Sequence, residues 1–501
     1  MMGGRVESLV VGEETRTQRR RRVEAENRLR RQLAAQQREE DRRARLRTRA
    51  LWEGDYLPRL GERGPRTGRQ LREARVPSLR TTTKVLRTAY PFLAEEGLGH
   101  DGIVIGPNVL GNSTFCFDPF TFYSRGVLSN PNITLAGVIG SAKSALMKCL
   151  ALRGVAFGYR TFVPGDVKGE WTKVAEAVGG SVISVSGATR QRLNPLDEGR
   201  RPACNEDGEP VDDEAWRAMV RSQRLRLLRA LVRTLMGGPL NEEDELALSQ
   251  ALDRAVARSS TPVLSTVVDE LLVPSPGGPV PRGVRDSDEL ARMGRRTGLY
   301  MQRMIEGDLK GMLDGPSTVR FDPAAPMTSV NLKGIGEGDE RLPLLMTCTQ
   351  TWMEAALRGA DLGRRFMIYE EAHRIIAAPG LLSRMNDQWK LARAWGICNV
   401  LILHRLSDSD AAGAAGSRER ALAEGLIADT GTRIVYRQEA DQLARTAERL
   451  GLNDTMTDCV SELRPGVGLW MVGKGRYLVA HHRSDWEVAL TDTDEAMGGR
   501  R

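Results

Sequence analysis

The 501-residue sequence is poor in aromatic side chains, which make up 5% of it, and it holds only six cysteines and five histidines. The cysteines, at 116, 149, 204, 348, 398 and 459, form no C-x-x-C pair. That scatter excludes a disulfide scaffold and a cysteine zinc site, and predicts reduced cysteines in a cytosolic chain, several of them in the core. The histidines show no metal-ligand spacing either. No apolar run approaches the ~20 residues that a membrane-crossing helix needs. The opening Met1-Met2-Gly3-Gly4-Arg5 leads into no apolar signal segment. A cytoplasmic location is expected, with any membrane association peripheral or through a partner. What is present is a 41% apolar fraction, ample for a sizeable core, in a length that allows roughly two to four domains. The net charge of +8 suits a polyanionic partner, either nucleic acid or an anionic membrane surface, without choosing between them.

The chain is organised around Ile133 to Ser144, which reads ITLAGVIGSAKS. A short apolar strand, a glycine-containing turn and a Lys-Ser pair opening a helix follow in the order that a phosphate-binding loop requires. In the pattern G-x-x-x-x-G-K-[ST], backbone N–H groups surround the phosphates at the positive end of a helix. Gly137, Gly140, Ser141, Ala142, Lys143 and Ser144 are therefore the nucleotide-binding candidates. Lys143, exposed at the helix start, would reach the β- and γ-phosphates, and the Ser144 hydroxyl would ligate Mg²⁺. Ala142 stands where the pattern has its last glycine. Because Gly140 remains to make the tight turn, Ala142 is expected to sit where its methyl costs little. An ordinary strand–turn–helix connection is the competing reading.

Five regions are expected along the chain. Residues 1–75 form an Arg-rich charged arm and linker, either a solvated helix or disordered arm, or an electrostatic arm for DNA or anionic lipid. Residues 76–130 read as a small β-rich element, with strands near 103–106 and 113–119. Residues 131–198 hold the loop and alternate strand and helix, which implies a parallel sheet with right-handed crossovers. Residues 199–325 read as an all-α insertion; Asn241 is a plausible N-cap followed by Glu242, Glu243 and Asp244. The α/β alternation resumes over 326–501 and ends in helices and a hairpin around Gly473-Lys474-Gly475.

The second diagnostic element is Arg364-Arg365-Phe366-Met367-Ile368-Tyr369-Glu370-Glu371-Ala372-His373, an apolar strand ending in two carboxylates. In phosphate-loop ATPases the first acid at this strand end holds the Mg²⁺ shell and the next orients and deprotonates the attacking water. Glu370 takes the metal role and Glu371 the catalytic role; the competing reading is that the pair merely starts the next helix. A further buried strand ends at His404-Arg405. His404 would either touch the γ-phosphate or be a hydrogen-bonded histidine at a sheet edge. Arg433 and Arg437 flank another strand, either as surface ion-pair residues or as arginine fingers for a neighbouring subunit.

Read in order, GVIGSAKS, DVKGEW, RLNPLD, IYEEAH and LILHRLSD resemble the VirB4/TraC-like ATPases of conjugative type IV secretion systems, within the FtsK/HerA-type motor group and nearest to a short actinobacterial type. The resemblance covers about 100–490 and leaves the arm out. It implies a RecA-like α/β core, mainly a parallel sheet with helices on both faces, with an inserted helical domain. It also implies ATP with Mg²⁺, a homo-hexameric tendency and membrane-embedded channel proteins as partners. By that likeness Lys143 and Ser144 match the loop's phosphate and Mg²⁺ residues, Glu370 and Glu371 the acidic pair, and Asp166, beside Glu170, the acid of the D-x-K-G-E element. Ala142, Glu370 in place of aspartate, and His404-Arg405 in place of Thr-Gln depart from the pattern. The leading expectation is an ATP-hydrolysing motor for DNA or protein transfer. Two others stand beside it: a nucleotide-binding scaffold that no longer hydrolyses ATP, and a DNA-translocating coupling motor.

Overall fold

The computed structural model describes residues 98–492 apart from 112, 186–190, 205–208, 308, 336–338, 340, 358–362, 377–380, 384, 387–388, 390–394 and 406–416, together with parts of 20–40. The chain divides into two units, Met1–Tyr90 and Pro91–Arg501. In the first, residues 31–40 are helical and exposed. The linker expected at the end of the 1–75 arm lies outside the described residues.

The second unit opens with β1 (Ile103–Asn108), β2 (Ser113–Phe117) and the short α1 (Pro119–Ser124). Next come β3 (Ile133–Ala136), α2 (Lys143–Ala156), β4 (Arg160–Asp166), α3 (Thr172–Ala177) and β5 (Ser181–Ser184). Helices α4 (Asp213–Met236), α5 (Glu242–Arg258), α6 (Leu264–Leu272) and α7 (Ser287–Glu306) stand between β5 and β6 (Met327–Asn331). The chain continues through α8 (Arg341–Leu357), β7 (Arg365–Tyr369), α9 (Ala372–Ile376), β8 (Ile397–Leu403), α10 (Arg418–Ala428) and β9 (Thr432–Val435). It closes with α11 (Ala440–Leu450), α12 (Asp454–Glu462), the hairpin β10 (Val467–Val472) and β11 (Gly475–Ala480), and α13 (Asp485–Thr491).

All the strands join one 11-stranded sheet in the order β2-β1-β11-β10-β9-β3-β8-β7-β4-β6-β5. From β9 to β5 every pairing is parallel, and from β9 outward to β2 every pairing is antiparallel. The fold is thus a mainly parallel α/β sheet with helices on both faces. The N-terminal strands β2 and β1 are the outermost on one side of it. They are hydrogen-bonded into it through the C-terminal hairpin, with Asn108 opposite Val479.

A parallel sheet covered on both faces needs strands that are apolar on both sides. In β7, Phe366 and Ile368 enter one buried cluster and Met367 and Tyr369 the other. In β8, Val400 and Ile402 face one side and Leu401 and Leu403 the opposite one. Helix α2 covers the first face with Leu146, Met147 and Leu150, whereas α4–α8 supply most of the cluster on the second. Local signals set the helix boundaries between β5 and β6. The side chains of Asp212, Asn241 and Asp286 accept N–H bonds in the first turns of α4, α5 and α7, each followed by acidic residues. Gly237 ends α4 with φ +66°, a left-handed cap that glycine adopts without strain.

Candidate nucleotide site

The carboxyl ends of the parallel strands meet on one edge of the sheet, where ligands of open α/β sheets bind. Strand β3 runs into the Gly137–Ser144 loop and β8 runs into His404. Strand β7 runs into Glu370 and Glu371, and β4 ends at Asp166. Because β8 lies between β3 and β7, the loop and the acid pair are two strand spacings apart, roughly 10 Å. That gap is wide enough for a phosphate group and a hydrated cation.

The loop is held closely from below. Val138 N–H donates to the Arg437 carbonyl at 3.1 Å, and Gly466 N–H donates to the Ser141 carbonyl at 3.2 Å. Gly137 has no room for a side chain, since a Cβ there would lie 2.5 Å from the Tyr436 Cβ. Gly140 has φ +78° with open space around it, so its glycine is a conformational requirement. Ser141 Oγ closes the turn by donating to the Val138 carbonyl at 2.7 Å. Ile139 at the tip is 82% exposed.

Two expectations about this loop are corrected. Lys143 is not exposed: it is 5% accessible, and its ammonium donates to the carbonyls of Gly137 at 2.6 Å and Val138 at 2.8 Å. The loop thus folds around its own cation. Ala142 does not sit where alanine is tolerated. It has φ +74° and ψ +24°, and it is the only non-glycine residue with positive φ among the described residues. The left-handed conformation costs an L-residue roughly 1–2 kcal/mol, and here it caps α2 with no side-chain acceptor. The first N–H groups of α2 therefore keep their donor capacity at the positive end of a 14-residue helix.

This geometry sets the outcome for Ala142→Gly. Glycine relieves the strain but adds about 0.4–1 kcal/mol of unfolded-state entropy, so a net stabilisation of about 1 kcal/mol is expected. The strain is already carried by the folded chain, so affinity for a non-hydrolysable ATP analogue should change by less than about threefold. Thermal unfolding and a titration of both proteins test this. A lower unfolding temperature for the glycine variant would show that the methyl group is a packing contact.

The acid pair is buried, Glu370 at 9% and Glu371 at 4% exposure. Glu370 accepts a hydrogen bond from the Trp171 indole Nε1. Glu371 Oε1 pairs with Lys168 Nζ at 3.0 Å, while Oε2 faces His373 Nδ1 at 3.3 Å and His404 Nε2 at 3.6 Å. Burial alone would raise the Glu371 carboxyl, but the contacts with His404 and Lys168 and the charge of His373 outweigh it and hold it down to about 2. Asp166 goes the other way. Burial pushes it up to about 6, with the Glu370 charge adding to the rise, against two backbone N–H donors, Trp171 and Glu170. Two carboxyl groups of one site are thus driven apart, with Glu371 a permanent anion.

The DVKGEW segment after β4 supplies the second layer. Glu170 pairs with Lys148, a fully buried lysine of α2, and so ties the loop helix to β4. Trp171, fully buried, bridges Asp166 and Glu370. Sequence reading assigned no role to Lys148, Lys168, Trp171 or His373. The DVKGEW string was the available signal for Lys168 and Trp171, and the IYEEAH string for His373; none existed for Lys148.

The remaining candidates divide. His404 faces Glu371 across the carboxyl edge of the sheet, its Nε2 3.6 Å from Oε2. Arg405 pairs with Glu439 at 3.2 Å on the surface. Arg437 is exposed directly beside the loop that its carbonyl supports. Arg433 lies beside Thr134 in the ladder, further back along β3, and its guanidinium donates to the Ala428 carbonyl at 2.8 Å.

No protein-family model and no curated protein matches the chain. Solved structures do. VirB4 of Thermoanaerobacter pseudethanolicus superposes with a TM-score of 0.63 at 17% identity, over 79% of this chain and 100% of that one. The plasmid coupling protein TrwB in complex with the non-hydrolysable ATP analogue ADPNP gives 0.53 at 14% identity, over 84% and 96%. TrwB in complex with ADP and Mg²⁺ gives 0.52 at 14%, over 77% and 90%. The likeness spans nearly the whole of each solved chain, and the protein therefore has the α/β fold of VirB4 and of the plasmid coupling protein TrwB.

Proposed function

We propose that the protein is an ATP-hydrolysing motor of the VirB4 kind that powers DNA or protein transfer through a conjugation or type IV secretion apparatus. One observation carries the reading. A phosphate-loop lysine and serine and a buried anionic carboxylate reach the same sheet edge from strands β3 and β7, in a fold shared with a protein solved with ADP and Mg²⁺. The residues fit a phosphate chain: a loop with no Cβ at Gly137, an uncapped helix start at α2, and a lysine ammonium that donates to two loop carbonyls it can exchange.

In this mechanism Lys143 leaves the Gly137 and Val138 carbonyls for the β- and γ-phosphate oxygens, a change from neutral to charge-assisted bonds. The N–H groups of the loop and of the first turn of α2 hold the same phosphates. Ser144 and Glu370 would hold Mg²⁺, which when bound neutralises charge on the phosphates. Trp171 fixes Glu370 by its indole N–H, and Asp166 fixes Trp171. Glu371 orients the attacking water and accepts its proton. At about 2, its carboxyl is a weak base, so its share of the rate comes first from positioning. His404 lies between the loop and Glu371 and is poised to sense the γ-phosphate. Arg437, exposed beside the loop, is the better placed of the two arginines to act on a neighbouring subunit of a homo-hexamer. The test is steady-state ATPase activity of the purified protein against the Glu371→Gln control, with solution mass measured alongside.

The arm is proposed to add electrostatic attachment to DNA. Deleting residues 1–75 should leave ATP-analogue affinity unchanged and weaken duplex binding, with a shallower salt dependence because fewer counterions are released. Binding to vesicles of anionic lipid, lost on deletion while duplex binding is unchanged, would assign the arm to the membrane surface instead. A truncated chain that does not fold would show that the arm is structural.

A further inference from the structure

Within the candidate nucleotide site, the side chains of Glu371, His373 and His404 offer three ligand atoms that all lie within 4.8 Å of one another. They come from two different elements: Glu371 and His373 surround the start of α9, and His404 ends β8, 31 positions after His373 in the chain. We propose that these three residues form a binding site for an imidazole-seeking transition-metal dication of the zinc type, and that occupancy of this site silences the motor. The silencing rests on the catalytic role proposed for Glu371; the binding does not.

The donor set chooses the metal. Two imidazole nitrogens and one carboxylate oxygen suit zinc and its neighbours, whereas Mg²⁺ and Ca²⁺ prefer all-oxygen shells. The spacing agrees. Bonds of about 2.0–2.2 Å to a tetrahedral zinc put neighbouring ligand atoms roughly 3.3–3.5 Å apart. Glu371 Oε2 lies 3.3 Å from His373 Nδ1 and 3.6 Å from His404 Nε2. The two ring centroids are 5.5 Å apart with planes at 50°, so the rings do not stack and both can turn toward one point. The carboxylate is oriented as a metal ligand requires, since Lys168 pairs with Oε1 and Oε2 faces the two histidines. Lys168 also opposes the ion by its charge, which favours a dication bound by the histidines over one held by charge alone. The histidine side chains are 30% and 32% exposed and the Glu371 side chain 5%, so an ion has an entrance through the rings and a buried anion at the bottom. Three protein ligands leave a fourth position for water.

The consequence for turnover follows from the shared atom. Glu371 Oε2, the oxygen that the histidines face, cannot coordinate a metal and also orient a water for attack. Nucleotide affinity should be spared, because Lys143 and Ser144 take no part in the site.

The experiment uses the full chain and has two readouts. Titration of the metal-free protein with cobalt chloride should produce the visible bands of tetrahedral Co²⁺, and zinc chloride should displace them at one ion per chain. His373→Gln and His404→Gln should each weaken the ion at least tenfold without changing the circular dichroism. With MgATP saturating, zinc at that same affinity should stop ATP turnover in the wild type, EDTA should restore it, and ATP-analogue binding should stay unchanged. No cobalt bands, or zinc affinity equal in wild type and both variants, would overturn the site. Full turnover with one zinc bound would overturn the silencing. A protein with no turnover even without metal would count against the catalytic reading alone, since the cobalt bands report the site without it.

Discussion

Lys143→Ala is expected to lower the affinity for MgATP by roughly 100-fold while the chain stays folded. Without nucleotide the ammonium sits on two neutral carbonyls, Gly137 O at 2.6 Å and Val138 O at 2.8 Å. Binding exchanges these for anionic phosphate oxygens, and a charge-assisted bond contributes roughly 1.5–3 kcal/mol where a neutral one contributes about 1. Two such exchanges are worth roughly 1–4 kcal/mol, and the upper part of that range passes the ~2.7 kcal/mol that corresponds to 100-fold. The fold itself should lose little. The lysine leaves behind two loop carbonyls that water can reach once the long side chain is gone, and α2 keeps Leu146, Met147 and Leu150 in the core. A titration with a non-hydrolysable ATP analogue, with thermal unfolding as the control, decides it. Equal affinity in the two proteins would remove the phosphate role from the loop.

Glu371→Gln should leave MgATP affinity within a few-fold of wild type and slow hydrolysis at least ~100-fold, the scale of a lost general base. Glutamine keeps the size and one carbonyl acceptor for Lys168 or a histidine, so the local packing survives. It cannot take a proton from water, and it gives up the charge that holds Lys168 and both histidines around one carboxylate. Single-turnover hydrolysis and analogue binding separate the two effects. If Glu370→Gln instead spared binding and stopped hydrolysis, the roles of the two acids would be exchanged, and the Trp171 bond to Glu370 would be orienting the base. Wild-type turnover already at the level of Glu371→Gln would favour the nucleotide-binding scaffold.

Much of this site was legible in the chain before any coordinates. GVIGSAKS and IYEEAH are local patterns, because a phosphate loop is made by one strand–turn–helix segment and an acid pair by one strand end. The parallel sheet was legible for a similar reason. Strands such as Phe366–Tyr369 and Val400–Leu403 are apolar at every position, which is what two covered faces demand. The helix starts at Asn241 and Asp286 were written in their caps. The join of β1 to β11 was not legible, because nothing local in residues 103–108 names a partner at 475–480.

The sequence alone determined which residues reach the carboxyl edge of the parallel strands, since each lies next to its own strand. The expectation of phosphate chemistry was likewise legible there, because lysine, serine and paired glutamates in that order match the phosphate-loop pattern. Tertiary structure decided the rest. The backbone angle at Ala142 depends on how the loop is pinned by Arg437 and Gly466, residues some 300 positions away. The burial of Lys143 depends on the same closure. The five histidines carry no ligand spacing along the chain, yet His373 and His404 converge on one oxygen of Glu371. That convergence arises because β8 lies beside β7 in the sheet, and strand order is set by how whole helices and strands pack, a constraint no short stretch of sequence contains.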